Sequence, residues 1–183
     1  MDLGFNRPSA QRILQLLSEE ERLDWDLNEG GRNDCLPLTR VSAGYPRKLR
    51  IRLGLDSPGC LWVKGDLTLL KTPAISLVGS RELRKENLAF AVEAGRQAAL
   101  QGFTLISGNA RGADKAAQNA ALQAGGTVIS VVADSLQKQP LAERMLYLSL
   151  DDFDAPFSSQ RALHRNHVIH AMTELTMAAQ CTL

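Results

Sequence analysis

The chain has 183 residues, a net charge of +1, 44% hydrophobic residues and 22% charged residues. This length and composition fit a globular protein, and they exclude a disordered or globally basic chain. No apolar run approaches the length of a membrane span and no signal peptide is visible, so we predict a cytoplasmic protein with no membrane partner. The cysteines Cys35, Cys60 and Cys181 show neither metal-binding spacing nor an even-numbered disulfide framework.

The first part of the chain is predicted to be helical. Its pattern indicates one helix over 8–27, followed by a turn-rich linker over 28–34. We therefore predict a helical N-terminal segment over 1–34 and a second unit over 35–183. The second unit begins with an arm over 35–72.

The arm contains one clear strand, over 60–64, and one basic run, Arg47-Lys48-Leu49-Arg50-Ile51-Arg52. The basic run has two interpretations: a track for a nucleic-acid backbone, or an amphipathic segment with one face in water. Trp62 lies within the strand pattern. We therefore expect its ring in the core rather than in a base-stacking surface.

From about residue 73 onward, predicted strands and helices alternate, which is typical of an α/β fold with an open parallel sheet. Leu88, Val92, Gly95 and Ala99 form a stripe that marks the expected inner face of the first of these helices. The predicted strands are 74–78, 103–107, 127–132, 145–149 and 175–179, and the predicted helices are 84–101, 113–124 and 161–172.

Two consecutive predicted strands are each followed by a turn that combines small residues with an arginine. Gly79-Ser80-Arg81 follows the first strand, and Ser107-Gly108-Asn109-Ala110-Arg111-Gly112-Ala113-Asp114 follows the second. Small residues let an anion approach the main chain, and the amides at a helix start favour it. Because the carboxyl ends of parallel strands form one crevice, we expect Arg81 and Arg111 to converge on one phosphate-binding site.

The other residues of these turns have predicted roles of their own. The glycines fit tight turns and close helix–strand packing as well as phosphate contact. Ser80 and Ser107 either donate their hydroxyls to phosphate or cap the following helix. A carboxylate at Asp114 would repel a phosphate, so we expect it to anchor the loop by accepting backbone amides or orienting an arginine. Asp134, at the end of the third strand, is expected to be exposed.

Five motifs of this chain, in this order, resemble those of the DprA/Smf family of DNA-processing proteins. The resemblance runs from about Tyr45 to the end of the sequence, and five ordered motifs are far more specific than any one of them. The motifs are Tyr45-Pro46, Pro58-Gly59-Cys60-Leu61-Trp62-Val63-Lys64-Gly65, Val78-Gly79-Ser80-Arg81, Ser107 to Asp114, and Arg165-Asn166-His167-Val168-Ile169.

The resemblance implies a Rossmann-like, mostly parallel sheet with helices on both faces, preceded by a short helical piece. It also implies binding of single-stranded DNA, protection of DNA during natural transformation, delivery to the recombinase RecA, and a homodimer. The chain departs from the family pattern at Gln118, at Ala133-Asp134-Ser135-Leu136 and at His167. Family members also continue beyond Leu183, which implies a fragment or a reduced relative.

Enzyme functions compete with this interpretation. A nicotinamide dehydrogenase requires Gly-x-Gly-x-x-Gly after the first strand, and the chain lacks it. The remaining alternative is a nucleotide-binding or nucleotide-hydrolysing enzyme of the related phosphoribohydrolase-like group, although its Pro-Gly-Gly-x-Gly-Thr-x-x-Glu motif is absent from this sequence. His164, His167 and His170 are spaced three apart, without the further ligands that a zinc site needs.

We therefore predict a single-stranded DNA-binding protein that is not an enzyme and uses no cofactor or metal. Asp114 is its predicted loop anchor. The residues predicted to contact phosphate are Gly79, Ser80, Arg81, Ser107, Gly108, Arg111, Gly112 and Arg165, extended by Arg84, Lys115, Arg161 and Asn166.

Overall fold

A seven-stranded sheet organises the computed structural model, which describes residues 7–180. In space the strands follow the order β1-β2-β6-β5-β4-β3-β7; the β1–β2 and β2–β6 pairs are antiparallel and the other pairs are parallel. The strands are β1 Leu36–Thr39, β2 Cys60–Gly65, β3 Ala74–Gly79, β4 Thr104–Ser107, β5 Val128–Val132, β6 Met145–Ser149 and β7 Thr176–Ala179.

Helices cover both faces of this sheet. Helices α4 and α5 pack on one face, and α3 and α6 pack on the other. This arrangement confirms the predicted α/β class with an open, mostly parallel sheet. The helices are α1 Arg7–Leu17, α2 Glu20–Arg32, α3 Arg47–Leu53, α4 Lys85–Leu100, α5 Ala113–Gln123 and α6 Ser159–Met172, with short 3-10 helices at Gly54–Asp56 and Leu67–Lys71.

The central strands are buried on both faces, which explains their continuous apolar runs. Neighbouring residues alternate between the two halves of the core. Leu105 and Val128 contact the α4/α5 side, whereas Ile106 and Ile129 contact the α3/α6 side. All four side chains have almost no exposed surface. The parallel strands therefore have a rigid frame, and their carboxyl ends are held in place.

The inner face of α4 differs from the predicted stripe. Its buried residues are Ala91, Ala94, Gly95 and Ala98, whereas Leu88 and Val92 are 42% and 41% exposed. The reason is close packing between α4 and α5. A Cβ at Gly95 would overlap the backbone of Ala117, so the helix turns its smallest residues, and not its bulkiest, toward its neighbour.

The N-terminal region contains two helices instead of the single predicted helix over 8–27. Helix α1 ends at Leu17, and α2 continues to Arg32, through most of the segment that we predicted to be a linker. Packing explains the error at Gly30. A Cβ there would lie 2.5 Å from the Trp62 ring, so this glycine permits close contact within a helix and does not mark a turn.

The arm contributes two strands and a helix where the sequence indicated one strand. Strand β1 contains Pro37 and lies at the edge of the sheet, a position that tolerates proline. Trp62 on β2 is 8% exposed and its ring centroid lies 5.1 Å from that of Phe153. Its predicted place in the core is therefore confirmed.

Three further features of the described residues bear on function. No helix within residues 7–180 is long and apolar enough to cross a membrane. In the same part of the chain, no group of three or more His, Cys, Asp or Glu side chains is arranged to hold a metal ion. Cys35 and Cys60 are free thiols, whereas Cys181 lies outside the described residues.

Candidate phosphate-binding site

The two glycine-containing turns lie directly against each other at the carboxyl ends of β3 and β4. The amide of Ala113, the first residue of α5, donates to the carbonyl of Ser80 at 3.2 Å. Gly112 has a φ of +91°, and a Cβ there would lie 2.5 Å from the Ser80 oxygen. Only glycine fits this contact. The turns therefore form one continuous surface, which we call the carboxyl rim (residues 79–81 and 107–114).

Gly79 brings the start of α5 close to the sheet. A Cβ at Gly79 would lie 2.6 Å from the Cβ of Ala113 and would overlap the carbonyl of Ala179. The next residue is fixed on two sides. The Ser80 amide donates to the carbonyls of Ala179 and Gln180 at 3.3 and 3.1 Å, and its hydroxyl accepts from the Glu82 amide at 3.2 Å. Backbone position at the rim is thus set by packing and hydrogen bonds together.

A cavity of about 310 Å³ opens at this rim, and Arg81 and Arg111 both line it. The two arginines therefore face one site, as the strand–turn pattern predicts. The Arg81 guanidinium also packs over Phe157, with its Cζ 5.4 Å from the ring centroid. This cation–π contact holds the guanidinium at the mouth of the cavity.

A second cavity, of about 480 Å³, lies on the other side of Arg81. Gly79, Ser80 and Asn166 line it, and Arg81, Ala110 and Arg165 line both cavities. Consecutive cavities that share arginines suit a ligand that carries more than one anionic group.

Arg165 lies beneath the rim and is only 6% exposed. Its Nη1 donates to the carbonyl of Val131 at 2.7 Å and its Nε donates to Ala162 at 3.3 Å. Its Nη2 lies 3.7 Å from the carboxylate of Asp114. Burial lowers the pKa of Arg165, while the Asp114 charge acts in the opposite direction. Two of the five N–H donors of this guanidinium are therefore hydrogen-bonded inside the protein, and Arg165 supports the loop from below.

Asp114 ties the loop to the same arginine. Its Oδ2 accepts from the Ala110 amide at 3.2 Å, across the loop it follows. Burial raises the pKa of Asp114, and the nearby Arg165 charge opposes that shift. The other oxygen, Oδ1, and the hydroxyl of Ser107 are buried without a hydrogen-bond partner among the described residues. Ser107 is fully buried, so its hydroxyl lies under the loop and does not line either cavity.

The Arg111 side chain is open to solvent. It is 80% exposed and lies 3.8 Å from the carboxylate of Glu82, which is 89% exposed. An exposed pair at this distance contributes little and competes weakly with a phosphate. Arg111 is thus free to turn toward an anion in the cavity.

The four residues of the extended set of predicted contacts have three different positions in the structure. Asn166 lines the second cavity. Arg84 and Lys115 are exposed but line neither cavity. Arg161 is bound elsewhere, because its guanidinium donates to the Pro156 carbonyl at 2.6 Å and lies 3.2 Å from Asp151.

Sequence reasoning missed part of the first cavity. Asp134 was expected to be exposed, but it is half-buried and lines the cavity together with Asn109 and Phe157. A chain of amides fixes these groups: Asn109 donates to Gln139 at 3.2 Å, and Gln139 donates to Asp134 at 3.0 Å. The sequence did contain a signal for this: Asp134 lies just after the central strand β5, and the carboxyl ends of such strands form the ligand crevice of an open parallel sheet.

The basic run forms the amphipathic helix α3, with Leu49 fully buried beneath it. Arg52 is not available as a nucleic-acid contact. It donates to the carbonyls of His170, Ala171 and Thr173 at the end of α6 and pairs with Glu174. Cations at this end of a helix complement its dipole. The run is therefore amphipathic, as the second interpretation predicts, and Arg52 is bound within the protein, whereas Arg47 and Arg50 are exposed.

The fold and the rim together define a doubly wound α/β domain with an arginine-lined site at its strand ends. The chain belongs to the DNA recombination-mediator protein A family, whose model matches residues 37–183. This membership confirms the family that the five motifs indicated.

Curated relatives support the same assignment. DNA processing protein DprA of Streptococcus pneumoniae is 43% identical over 81 residues, which cover 44% of this chain and 28% of that protein. Protein Smf of Escherichia coli is 29% identical over 193 residues, which cover 98% of this chain and 50% of that protein. The chain thus spans half or less of the length of these relatives.

Solved structures show the same fold. DNA processing protein A from Streptococcus pneumoniae matches with a TM-score of 0.81 and 25% identity, covering 98% of this chain and 64% of that chain. DNA processing protein A from Helicobacter pylori, described for its single-stranded DNA binding mode, matches with a TM-score of 0.69 and 24% identity. That match covers 81% of this chain and 70% of the other.

Proposed function

We propose that this protein is a DNA-processing protein that binds single-stranded DNA through phosphate contacts at the carboxyl rim. The observation that carries the proposal is that Arg81 and Arg111 line one cavity, formed by two turns that are hydrogen-bonded to each other. Family membership supports DNA as the ligand, and the Helicobacter pylori relative binds single-stranded DNA.

In this proposal, the guanidinium groups of Arg81 and Arg111 contact successive phosphates. Gly79 and Gly108 line the cavities and would meet the DNA strand through their main chain, whereas Gly112 lines neither cavity and sets the close packing of the two turns. Ser80 and Asn166 extend the contacts into the second cavity, while Arg165 and Asp114 act from below by holding the loop. Arg84 and Lys115 lie outside the cavities and add charge near the strand.

The family also supports a wider role: protection of DNA during natural transformation, delivery to RecA, and self-association as a homodimer. These parts of the proposal rest on membership alone, since the chain spans half or less of its curated relatives. Sedimentation of the protein alone measures self-association. Sedimentation with RecA, with and without an oligothymidine, measures RecA binding separately from DNA binding.

Charge reversal at the rim tests the DNA-binding proposal. Arg111→Glu places a carboxylate in the first cavity and should abolish binding of a fluorescent oligothymidine, without unfolding a domain in which this side chain is 80% exposed. Arg144→Glu is the matched control, because it makes the same change in net charge at a distant position. Arg144 precedes β6 and lies at the opposite end of the sheet. Equal loss of binding in both variants would contradict the proposal.

Salt dependence gives a second readout of the same contacts. The slope of log K against log salt should be about −0.7 for each phosphate neutralised on a single strand. Arg111→Gln should reduce the magnitude of that slope, and Arg144→Gln should not.

A nucleotide-binding or nucleotide-hydrolysing enzyme is the competing function, and Asp134 in the first cavity is the observation in its favour. A calorimetric titration compares thymidine monophosphate with a short oligothymidine. DNA binding predicts tight, salt-dependent binding of the oligomer only. Tight binding of the mononucleotide, or release of its base, would favour the enzyme.

A further inference from the structure

Apart from the two cavities at the carboxyl rim, a largely apolar cleft lies on the α3/α6 face of the sheet. Its volume is about 460 Å³, which is ample for a ligand site. Tyr45, Ile51, Leu69, Leu70 and Met172 contribute its apolar lining. We call this feature the α3 cleft.

The α3 cleft lies near the end of the sheet opposite to the DNA site. Ala74, the first residue of β3, lines the cleft, whereas Gly79, the last residue of β3, lines the second cavity of the rim. A ligand in the cleft would therefore leave the rim free.

The charged residues that line the α3 cleft are all cations. Arg47 and Lys48 stand on α3, and Lys71 ends the short 3-10 helix on the other side. No aspartate or glutamate is among the described lining residues. Lys48 lies 3.3 Å from Glu174, while neither Arg47 nor Lys71 takes part in a salt bridge within residues 7–180.

Apolar side chains in and around the cleft reach the surface. Ile51, which lines the cleft, is 66% exposed, and Val41 and Leu55, which lie outside it, are 91% and 90% exposed. Arg40 donates to the carbonyls of Gly54 and Leu55, which brings the segment of Val41 beside Leu55. Ile51 therefore makes part of the apolar lining of the cleft accessible from solvent.

We propose that the α3 cleft binds an acidic, apolar peptide segment of a partner protein. Apolar side chains of the segment would enter between Tyr45, Ile51 and Leu69, and its carboxylates would meet cations on both walls. Cations on two separate elements, α3 and the 3-10 helix, fit charges distributed along a chain better than one headgroup on a small amphiphile.

A peptide library tests this proposal on the full chain. Random peptides displayed on phage are selected on the wild-type protein, and bound sequences should be enriched in aspartate, glutamate and large apolar residues. One selected peptide, labelled with fluorescein, is then titrated by anisotropy. Selection of basic peptides, or of none, would overturn the proposal.

Charge reversal in the cleft provides the specific control. Arg47→Glu combined with Lys71→Glu should weaken the selected peptide by about tenfold or more. Arg50→Glu combined with Arg144→Glu is the matched variant, because both residues are exposed cations that do not line the cleft and the pair makes the same change in net charge. It should leave binding within about twofold. Equal weakening by both variants would contradict the site.

Two competitors distinguish other occupants. Dodecanoate that displaces the peptide and binds more tightly would show that the cleft takes a small amphiphile, which overturns the proposal. Oligothymidine should not displace the peptide. If it does, the cleft is part of the DNA path, and if oligothymidine binds nowhere, the proposed function fails while the peptide site stands.

Discussion

The guanidinium of Arg165 occupies the space that a side chain at Gly108 would need. A Cβ built on Gly108 would overlap Nη1, Cζ and Nη2 of Arg165. The turn over 107–114 and helix α6 are thus fitted to each other because Gly108 has no side chain. Arg165 in turn reaches the carbonyl of Val131 on β5 and the carboxylate of Asp114 on α5. The shape of the rim therefore depends on a contact that lies beneath it.

Substitution Gly108→Ala tests this fit. The added methyl group must displace a buried guanidinium, so we expect a loss of about 1–3 kcal/mol in the free energy of unfolding, together with weaker oligothymidine binding. Gly59→Ala is the control, since a Cβ at Gly59 meets nothing within 4 Å. Urea unfolding of both variants measures the difference, and equal stability would refute the contact.

The Arg165–Asp114 pair should be far more important for stability than an exposed pair. Arg165→Gln leaves a buried carboxylate without its counter-charge and should cost about 3–5 kcal/mol in unfolding free energy. Arg96→Gln removes the exposed pair with Glu93 and should cost less than about 1 kcal/mol. Arg165→Lys should not restore full stability, because lysine lacks the planar fork that reaches Val131 and Asp114. A cost for Arg165→Gln no larger than that for Arg96→Gln would mean that the buried pair does not hold the loop.

The pKa of Asp114 gives a prediction about pH. Burial raises it above its ordinary value of 3.8, so the folded state holds this proton more tightly than the unfolded state. The contribution of this group to stability is thus present below pH 3.8 and is lost as the pH rises through the folded-state pKa. Carboxyl ¹³C shifts measure the midpoint directly. The pKa of Asp66 is lowered by hydrogen bonds from Thr68, so its carboxyl group should titrate at a lower pH than that of Asp114.

Much of the sheet could be predicted from the sequence because its strands are continuous apolar runs that end at small residues. β3, β4, β5, β6 and β7 begin and end within one residue of their predicted bounds. β1 was missed because a short edge strand with Pro37 carries almost no local signal. The extension of α2 through residues 28–32 was missed because Gly30, which packs against Trp62, resembles a turn glycine in sequence.

The positions of the two turns in the candidate site could be predicted from the sequence, whereas the burial of individual side chains could be predicted less well. The convergence of Arg81 and Arg111 follows from strand topology, which a sequence pattern records. The burial of Arg165 depends on tertiary packing, although a signal existed: Arg165, Val168, Ile169 and Met172 share the buried face of α6. An arginine on such a stripe points inward and finds internal acceptors.

Two phenylalanines in the loop between β6 and α6 should respond differently to truncation. Phe153 is 1% exposed and packs against Trp62, so Phe153→Ala should cost about 3–5 kcal/mol in unfolding free energy. Phe157 is 53% exposed beneath Arg81, so Phe157→Ala should change stability by less than about 1 kcal/mol and should weaken oligothymidine binding by releasing Arg81. Thermal unfolding and anisotropy separate the two effects. If Phe157→Ala destabilises as much as Phe153→Ala, its ring is part of the core.

The proposed location of DNA binding at the carboxyl rim is tested most directly by amide chemical shifts of the ¹⁵N-labelled chain, titrated with oligothymidine. The account predicts that the largest shifts fall on residues 79–81 and 108–112, and that they disappear in Arg111→Glu but persist in Arg144→Glu. Shifts centred on α3 and the 3-10 helix Leu67–Lys71, with the carboxyl rim unchanged, would contradict it.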